Sequence, residues 1–502
     1  MSSLVRTRRP LATAERAPVV LPGFLRGALL ALAGFAVAGY VASMPAARDG
    51  LDFMWLVPLS FAFCAVIFAH IIDYHRGGVG LKVLYTIIVI RYLVSPALIV
   101  STQGRVTPLM VAASASGYRF STVATVVELF VCCTTISLTW PRVSRRLAAS
   151  TPVGPTTGRH GGSALTIGGV LVVGLLAAII RMRGLERVTS SFGFLMLTKK
   201  YGGGVVDSFS VTAIQVLKSF LFVGVAALCE RGYLVKRNPL WFLAAALVAF
   251  LNVTTYFGYN RSIIVQTAIA TIVTLVYLFP ALRRYVVLAL VPVSGAVVYS
   301  LITLKQFGVS AASGQVSDQL SIDKVSQTLE TYVNGAWPLA TGYDAATAMS
   351  GQVGFLTFLR TYSDNFFLFK VPHFTLPNDL LNGVPSVIDL YQSYTWPAQG
   401  AMLPLSSEMW FYGGRMLGPL LLVAGNALAF YLLVQIEVRA KSAVGAQQKF
   451  LYSWLGALFG LAMCYCLVTI WWSFSKFAFF LAIVFWINNR IVLRRPPGRV
   501  GR

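Results

Sequence analysis

The sequence predicts an all-α, polytopic membrane protein of about twelve transmembrane helices with one large external loop. Three observations predict it. Only 12% of the 502 residues are charged and 57% are hydrophobic, with a mean hydropathy of +0.72; a soluble domain carries roughly 25% charge. Apolar runs of about 17–22 residues recur along the chain, the length that crosses a hydrocarbon core. Basic residues cluster in the short segments between those runs, as at Arg283-Arg284 and Arg494-Arg495, which is the positive-inside pattern. That distribution also argues against assigning the net charge of +24 to nucleic-acid binding.

The elements follow in order. A basic tail over 1–26 (Arg6, Arg8, Arg9, Arg16, Arg26) leads into the first apolar run, which has no cleavable signal pattern and reads as a retained first helix. Nine spans fill 27–304, near 27–44, 53–72, 81–100, 120–139, 163–181, 207–228, 240–256, 262–279 and 284–304. The turn at Pro280, Arg283 and Arg284 separates the last two. A loop over 305–415 follows, then spans near 416–434, 450–470 and 475–492 within 416–492, and a basic tail over 493–502. With the amino terminus in the cytoplasm, the larger share of Lys and Arg falls inside. Of the 17 acids only Glu15, Asp73, Glu230 and Glu437 fall there too. The bias selects this orientation, with both termini cytoplasmic.

The loop is more than a polar linker. Ile322, Val325, Leu329 and Val333 recur at helical spacing and predict an amphipathic helix; Phe355, Phe358, Leu359 and Tyr362 predict a second. The Pro-, Asn- and Gly-rich stretch 372–400 reads as ordered loop. A long aromatic-rich loop on a compact bundle is a place where function concentrates. No internal repeat is visible, which disfavours transporter folds built from duplicated halves.

Charges inside the spans demand an explanation. Arg91 falls near the middle of the third span, where a charge costs about 2.5–3.5 kcal/mol. Glu128, in the middle of the next span, is its natural partner. The pair either only fixes helix register or leaves Arg91 lining a polar cavity that binds an anionic headgroup. Lys218 in the sixth span either snorkels or serves a function. Further basic residues gather at the external helix ends: Arg181, Arg183, Arg187, Lys199, Lys200, Arg261, Arg360 and Arg415. Arginine suits bidentate phosphate binding, and several converging on one cavity would hold a diphosphate without metal.

Other chemistry is not signalled. The six cysteines lack CxxC spacing, and no phosphate-binding loop, HExxH, GxSxG or dinucleotide fingerprint occurs. His70, His75 and His160 fall at the cytoplasmic boundary, and His373 is the lone external histidine.

Four stretches line up with a known pattern. IRYLVSP with Glu128 in the following helix is similar to the Arg–Pro helix and acidic helix of Wzy-type oligosaccharide repeat-unit polymerases. GYNRSIIV resembles their small-residue–Arg–Ser/Gly turn, ETYVNGAWPLATGYDAA their Tyr-x-x-Gly-Pro segment, and MLPLSSEMWFYGGRMLGPLL their Ile-Leu-Pro…Phe-Gly…Ala-Pro stretch. The order matches over most of the chain. Trp337-Pro338 stands where Gly-Pro is usual and Tyr412-Gly413-Gly414 where Phe-Gly is usual.

The resemblance implies a GT-C-like fold, the all-helical type of lipid-linked-sugar glycosyltransferases, in the bacterial cytoplasmic membrane. The enzyme would join oligosaccharide repeat units carried on undecaprenyl diphosphate into O-antigen, capsule or exopolysaccharide. No metal, cofactor or nucleotide sugar is expected. Membrane lipid, a chain-length regulator and a flippase would be its partners, and nucleic acid would not. In that reaction Arg91, Arg261, Arg360 and Arg415 would bind the leaving diphosphate. Glu408 is the first candidate for the base, followed by Asp344 and Asp364, then His373. Glu408 could instead form a salt bridge with Arg415. Tyr332 and Tyr343 could stack on sugar rings. A ligase with another glycan acceptor, a flippase or exporter of lipid-linked sugars, and a scaffold in an assembly complex are the competing readings.

Overall fold

A computed structural model describes residues 23–44, 49–68, 78–102, 111–150, 167–182, 208–255, 261–288, 291–292, 295, 322–364, 381, 383–395 and 402–490. Among the described residues the chain is helical, and six helices are long and apolar enough to cross a membrane, or seven if one pair bent by 114° at Phe279 counts as a single span. The count of twelve spans is thus not reached on length and composition alone. The expected span 284–304 falls mostly outside the described residues.

The helices in chain order are α1 (Gly23–Ser43), α2 (Leu56–Ile67), α3 (Val79–Val89), α4 (Ser95–Ser101), α5 (Ala115–Ser150), α6 (Ile167–Met182), α7 (Ser208–Lys236), α8 (Leu240–Thr254) and α9 (Arg261–Leu278). Four shorter ones follow in the loop region: α10 (Ile322–Val333), α11 (Ala336–Ala348), α12 (Phe355–Asp364) and α13 (Val387–Tyr394). The bundle closes with α14 (Leu405–Ser442), α15 (Ala446–Gly460), α16 (Leu467–Ser473) and α17 (Phe479–Arg490).

The burial pattern is that of a protein solvated by hydrocarbon. On α8, Leu240, Leu243 and Leu247 stand at helical spacing and are about two-thirds exposed, while Ala245 and Ala249 are fully buried. Small residues inside let helix backbones approach closely, the usual basis of packing between membrane helices. Polar side chains point inward: Asn252 donates to Thr271 Oγ1 at 2.9 Å, Ser219 Oγ donates to Asn252 Oδ1 at 3.2 Å, and all three are buried. Lys218, expected to snorkel or serve a function, donates its Nζ to the carbonyls of Asn252, at 2.8 Å, and Thr255. It thereby satisfies carbonyls that the carboxyl end of α8 leaves unpaired.

Among the described residues, two of the local helix breaks have identifiable causes. Between α3 and α4 a π-turn covers Ile90–Val94, and the Ser95 amide bonds back to Ile90 O. Pro96 has no N–H and its ring crowds the carbonyl four residues back, so the ladder widens there. Arg91 sits in that widened turn. In α14, Gly414 takes φ +56°, a conformation glycine adopts without penalty, and it divides the helix into 405–413 and 415–442.

The carboxyl-terminal boundaries differ from the sequence reading. Helix α14 begins at Leu405, eleven residues before the expected span, so Glu408 lies in a first helical turn and not in loop. The expected span 450–470 stops at Gly460, and an extended pair, Tyr465-Cys466, precedes a continuous helical stretch from Leu467 to Arg490. Hydropathy could not place that break, because both sides of it are apolar. Within 372–400, expected as loop, 387–394 is helical. Ser386 and Asp389 form a reciprocal capping box there, with Ser386 Oγ accepting from the Asp389 amide at 3.1 Å.

The predicted amphipathic segments are α10 and α12. The four loop-region helices are tied to the bundle and to one another. Val387 N donates to Thr361 Oγ1 at 3.0 Å, Ser407 Oγ to Leu339 O at 3.3 Å, and Trp337 Nε1 to Val111 O at 2.9 Å. The opposite end of the bundle gathers basic side chains on aromatic faces: Lys441 over Trp140 at 4.5 Å and Lys449 over Tyr277 at 5.7 Å.

Candidate functional site

Three carboxylates are buried where the loop-region helices meet the bundle. Glu128 is 1% exposed, Glu330 4% and Glu408 0%. Each has a different environment, and the differences follow from which elements supply its partners.

Glu128 on α5 pairs with Arg91 at 2.7 Å, both side chains essentially inaccessible. Arg91 also donates through Nη1 to Met463 O at 2.9 Å. Glu128 accepts from Ser406 Oγ, and Asn426 Nδ2 donates to that hydroxyl at 3.1 Å. The pair foreseen from spacing is therefore formed. It ties the π-turn, α5, the start of α14 and the 461–466 connection into one buried network. The nearby Tyr92 hydroxyl donates to Thr125 O at 2.7 Å. A small cavity beside Arg91 is lined by Ser95, Ser121, Thr122, Thr125, Gly335 and Ala336.

Glu330 was not singled out by the sequence reading. It accepts from Ser95 Oγ and from the Trp337 amide at 3.0 Å, at the amino terminus of α11. Burial pushes its carboxyl above the usual range, opposed by those hydrogen bonds and by Arg91. The signal that could have found it is local. Asn334-Gly335 is a helix-breaking pair, and an acid just before such a break can reach the next helix's free amides.

Glu408 lies one helical turn into α14. Its Oε1 accepts from the Tyr362 hydroxyl at 3.0 Å and its Oε2 from the Leu467 amide at 2.5 Å. Tyr362 belongs to α12 and Leu467 opens α16, so this carboxylate joins three elements distant in sequence. Burial and the neighbouring carboxylate hold the Tyr362 hydroxyl far above its usual range, which keeps it a donor. Among the described residues no cation pairs with Glu408. The alternative salt bridge to Arg415 is not formed: Arg415 follows the break at Gly414 and is exposed, while Glu408 is fully buried.

The remaining candidates are placed as follows. Asp344 on α11 accepts from the Ser114 amide at 2.7 Å and from Ser114 Oγ at 2.5 Å, bracing the amino terminus of α5. Asp364 pairs with Arg360 at 2.6 Å on the partly exposed face of α12. Arg261 opens α9, and its side chain lies outside the described residues. Arg183, Arg187, Lys199, Lys200, His70, His75, His160 and His373, together with the side chain of Arg181, also lie outside them. Arg91, Arg360 and Arg415 thus stand in three environments: buried and paired, surface-paired, and exposed. Tyr343 stacks on Phe120 at 4.6 Å between ring centroids and packs against Trp410 at 5.5 Å, while Tyr332 is 38% exposed. Among the described residues no group of acids, histidines and cysteines is arranged to hold a metal ion.

No family model, no curated protein and no solved structure matches the chain.

Proposed function

We propose that this protein is a membrane glycosyltransferase that joins undecaprenyl-diphosphate-linked oligosaccharide repeat units into a longer glycan. The reading places twelve spans in a GT-C-like arrangement in the bacterial cytoplasmic membrane. Both termini face the cytoplasm and the 305–415 region lies outside.

The observation that carries it is Glu408. A buried carboxylate with no cationic partner among the described residues, facing a tyrosine from the loop region, has the environment of a general base and not of a structural ion pair. In the reaction the acceptor hydroxyl attacks the anomeric carbon of the donor glycan and its proton passes to Glu408. The bond from that carbon to the lipid diphosphate breaks, and negative charge develops on the leaving group. The reading assigns that charge to Arg91, Arg261, Arg360 and Arg415, of which Arg415 is exposed and Arg360 is partly exposed beside Asp364. The ordered resemblance to repeat-unit polymerases supports the same assignment, and the seating of α10–α13 on the bundle gives the site a cover.

Deletion of the gene should accumulate single-repeat lipid-linked intermediates, read by mass spectrometry of extracted lipids. Complementation with Glu408→Gln should fail to restore polymer. Normal polymer from a stably expressed Glu408→Gln protein removes this residue as the base. Full activity with Arg91, Arg261 and Arg415 all changed to Ala removes the diphosphate set.

A further inference from the structure

The two loop-region helices predicted from spacing are inside out. On α12, Phe355, Leu356 and Phe358 point outward, Phe355 being 73% exposed, while Thr357 and Thr361 are buried. Thr361 Oγ1 donates to Thr357 O at 2.6 Å and accepts from Val387 N at 3.0 Å, so the hydroxyl-bearing face is the one turned to the protein. Helix α10 repeats the arrangement: Ile322 and Val325 are exposed, and Ser326 and Glu330 are buried beside Val333. A surface helix bathed in water shows the reverse, with its apolar stripe turned to the core. The inversion matches that of α8, whose leucines face outward and alanines inward.

Both helices stand at one level of the bundle. A hydrocarbon core about 30 Å thick takes about twenty helical residues, so counting back along α14 from Arg439 its far edge falls near Leu420. Met416, 93% exposed, and the exposed Leu417 and Leu420 stand at that edge, just beyond the break at Gly414. On the other side of the break, Tyr412 meets Phe358 of α12 at 5.3 Å between ring centroids. The apolar face of α12 is thereby carried to within four residues of Met416. Helix α10 packs on α4, which ends the 79–101 segment, and Gly80 near the start of that segment bonds to Glu437, two residues from Arg439. Arg360 and Asp364 form a charged, partly exposed edge along α12. An apolar outer face with a charged edge beside it is the cross-section of a helix lying at the boundary between headgroups and acyl chains.

We propose that α10 and α12 are seated in the outer leaflet, with Ile322, Val325, Phe355, Leu356 and Phe358 among the acyl chains and Arg360 and Arg415 at the lipid phosphates. The seat rests on the membrane orientation given above and not on the glycan-transfer chemistry. Tyr362, the donor to Glu408, belongs to the same helix as Phe358, so the leaflet fixes the depth of that hydrogen bond.

The test places a nitroxide on Phe355→Cys, Leu356→Cys, Ile322→Cys and Val325→Cys, one at a time, the six native cysteines being buried. Full-length protein is reconstituted in vesicles of phosphatidylethanolamine and phosphatidylglycerol. Electron paramagnetic resonance then compares collisions with oxygen, which concentrates in acyl chains, and with a water-soluble nickel chelate. Oxygen should dominate at all four positions, and the ratio should reverse at Asp323→Cys and Asp364→Cys on the same two helices. If Phe355→Cys or Ile322→Cys does not fold, Leu356→Cys decides for α12 and Val325→Cys for α10. Nickel dominance at the apolar positions overturns the seat. Low collision with both probes overturns it too, because protein then covers the face, and broadening that vanishes on dilution with unlabelled protein would identify that cover as a second copy. Absence of accumulated lipid intermediates on gene deletion would sink the glycan-transfer reading and leave these ratios unchanged.

Discussion

Glu128 and Glu408 are both buried carboxylates tied to the first turns of α14, one through Ser406 and the other directly, yet they have opposite electrostatic settings. Glu128 faces a guanidinium and its charge is cancelled. Glu408 faces a phenol and a backbone amide and has no counter-charge among the described residues. Burial of a matched pair gives register and rigidity. Burial of a lone acid is costly and persists where a protein uses the group. Two residues of offset on one helical turn are enough to separate the roles, because Ser406 and Glu408 point to different neighbours.

Glu128→Ala strands Arg91 in the bundle, and unfolding in detergent should register a loss of about 3–5 kcal/mol. A loss no greater than that of Glu408→Gln would erase the distinction. Glu408→Gln should itself change stability by less than about 1.5 kcal/mol, since the amide keeps the shape and can accept from Leu467 N. It should lower polymer formation by about 10²–10⁴, the range for a lost general base.

Next in size is Tyr362→Phe, which deletes the one side-chain donor to Glu408 among the described residues. We expect about 1 kcal/mol of stability loss by the same unfolding assay, with reduced polymer. Glu330 gives a pH test. Burial raises its folded carboxyl above the unfolded one, so its contribution to stability is full below the ordinary carboxylate range and fades as pH rises through the folded value. Glu330→Gln should flatten that decline relative to wild type, and an unchanged slope would count against the burial effect. The smallest effect belongs to Arg360→Ala. Its pair with Asp364 is an exposed i,i+4 contact with side chains 34% and 41% accessible, so stability should move by under about 0.5 kcal/mol. A larger loss would mean that Arg360 does more than pair on the surface.

Residue order alone was enough to read the helical membrane class, the amphipathic segments α10 and α12, and the Arg91–Glu128 partnership. Each rests on spacing or on the expense of a charge in hydrocarbon, and both act within or between neighbouring elements. It determined Glu408 as a candidate, but with Arg415 as an alternative partner. Tertiary structure decided that Glu408 turns to Tyr362 and Leu467, that Glu330 caps α11 against Ser95, and that Asp344 serves the start of α5. Those partners lie 46, 59, 235 and 230 residues apart along the chain. It also decided the helix break at 461–466, where both flanks are apolar and hydropathy carries no contrast. Periodicity reports which face of a helix is wet or dry; which distant backbone amide a buried carboxylate meets is fixed only when the helices pack.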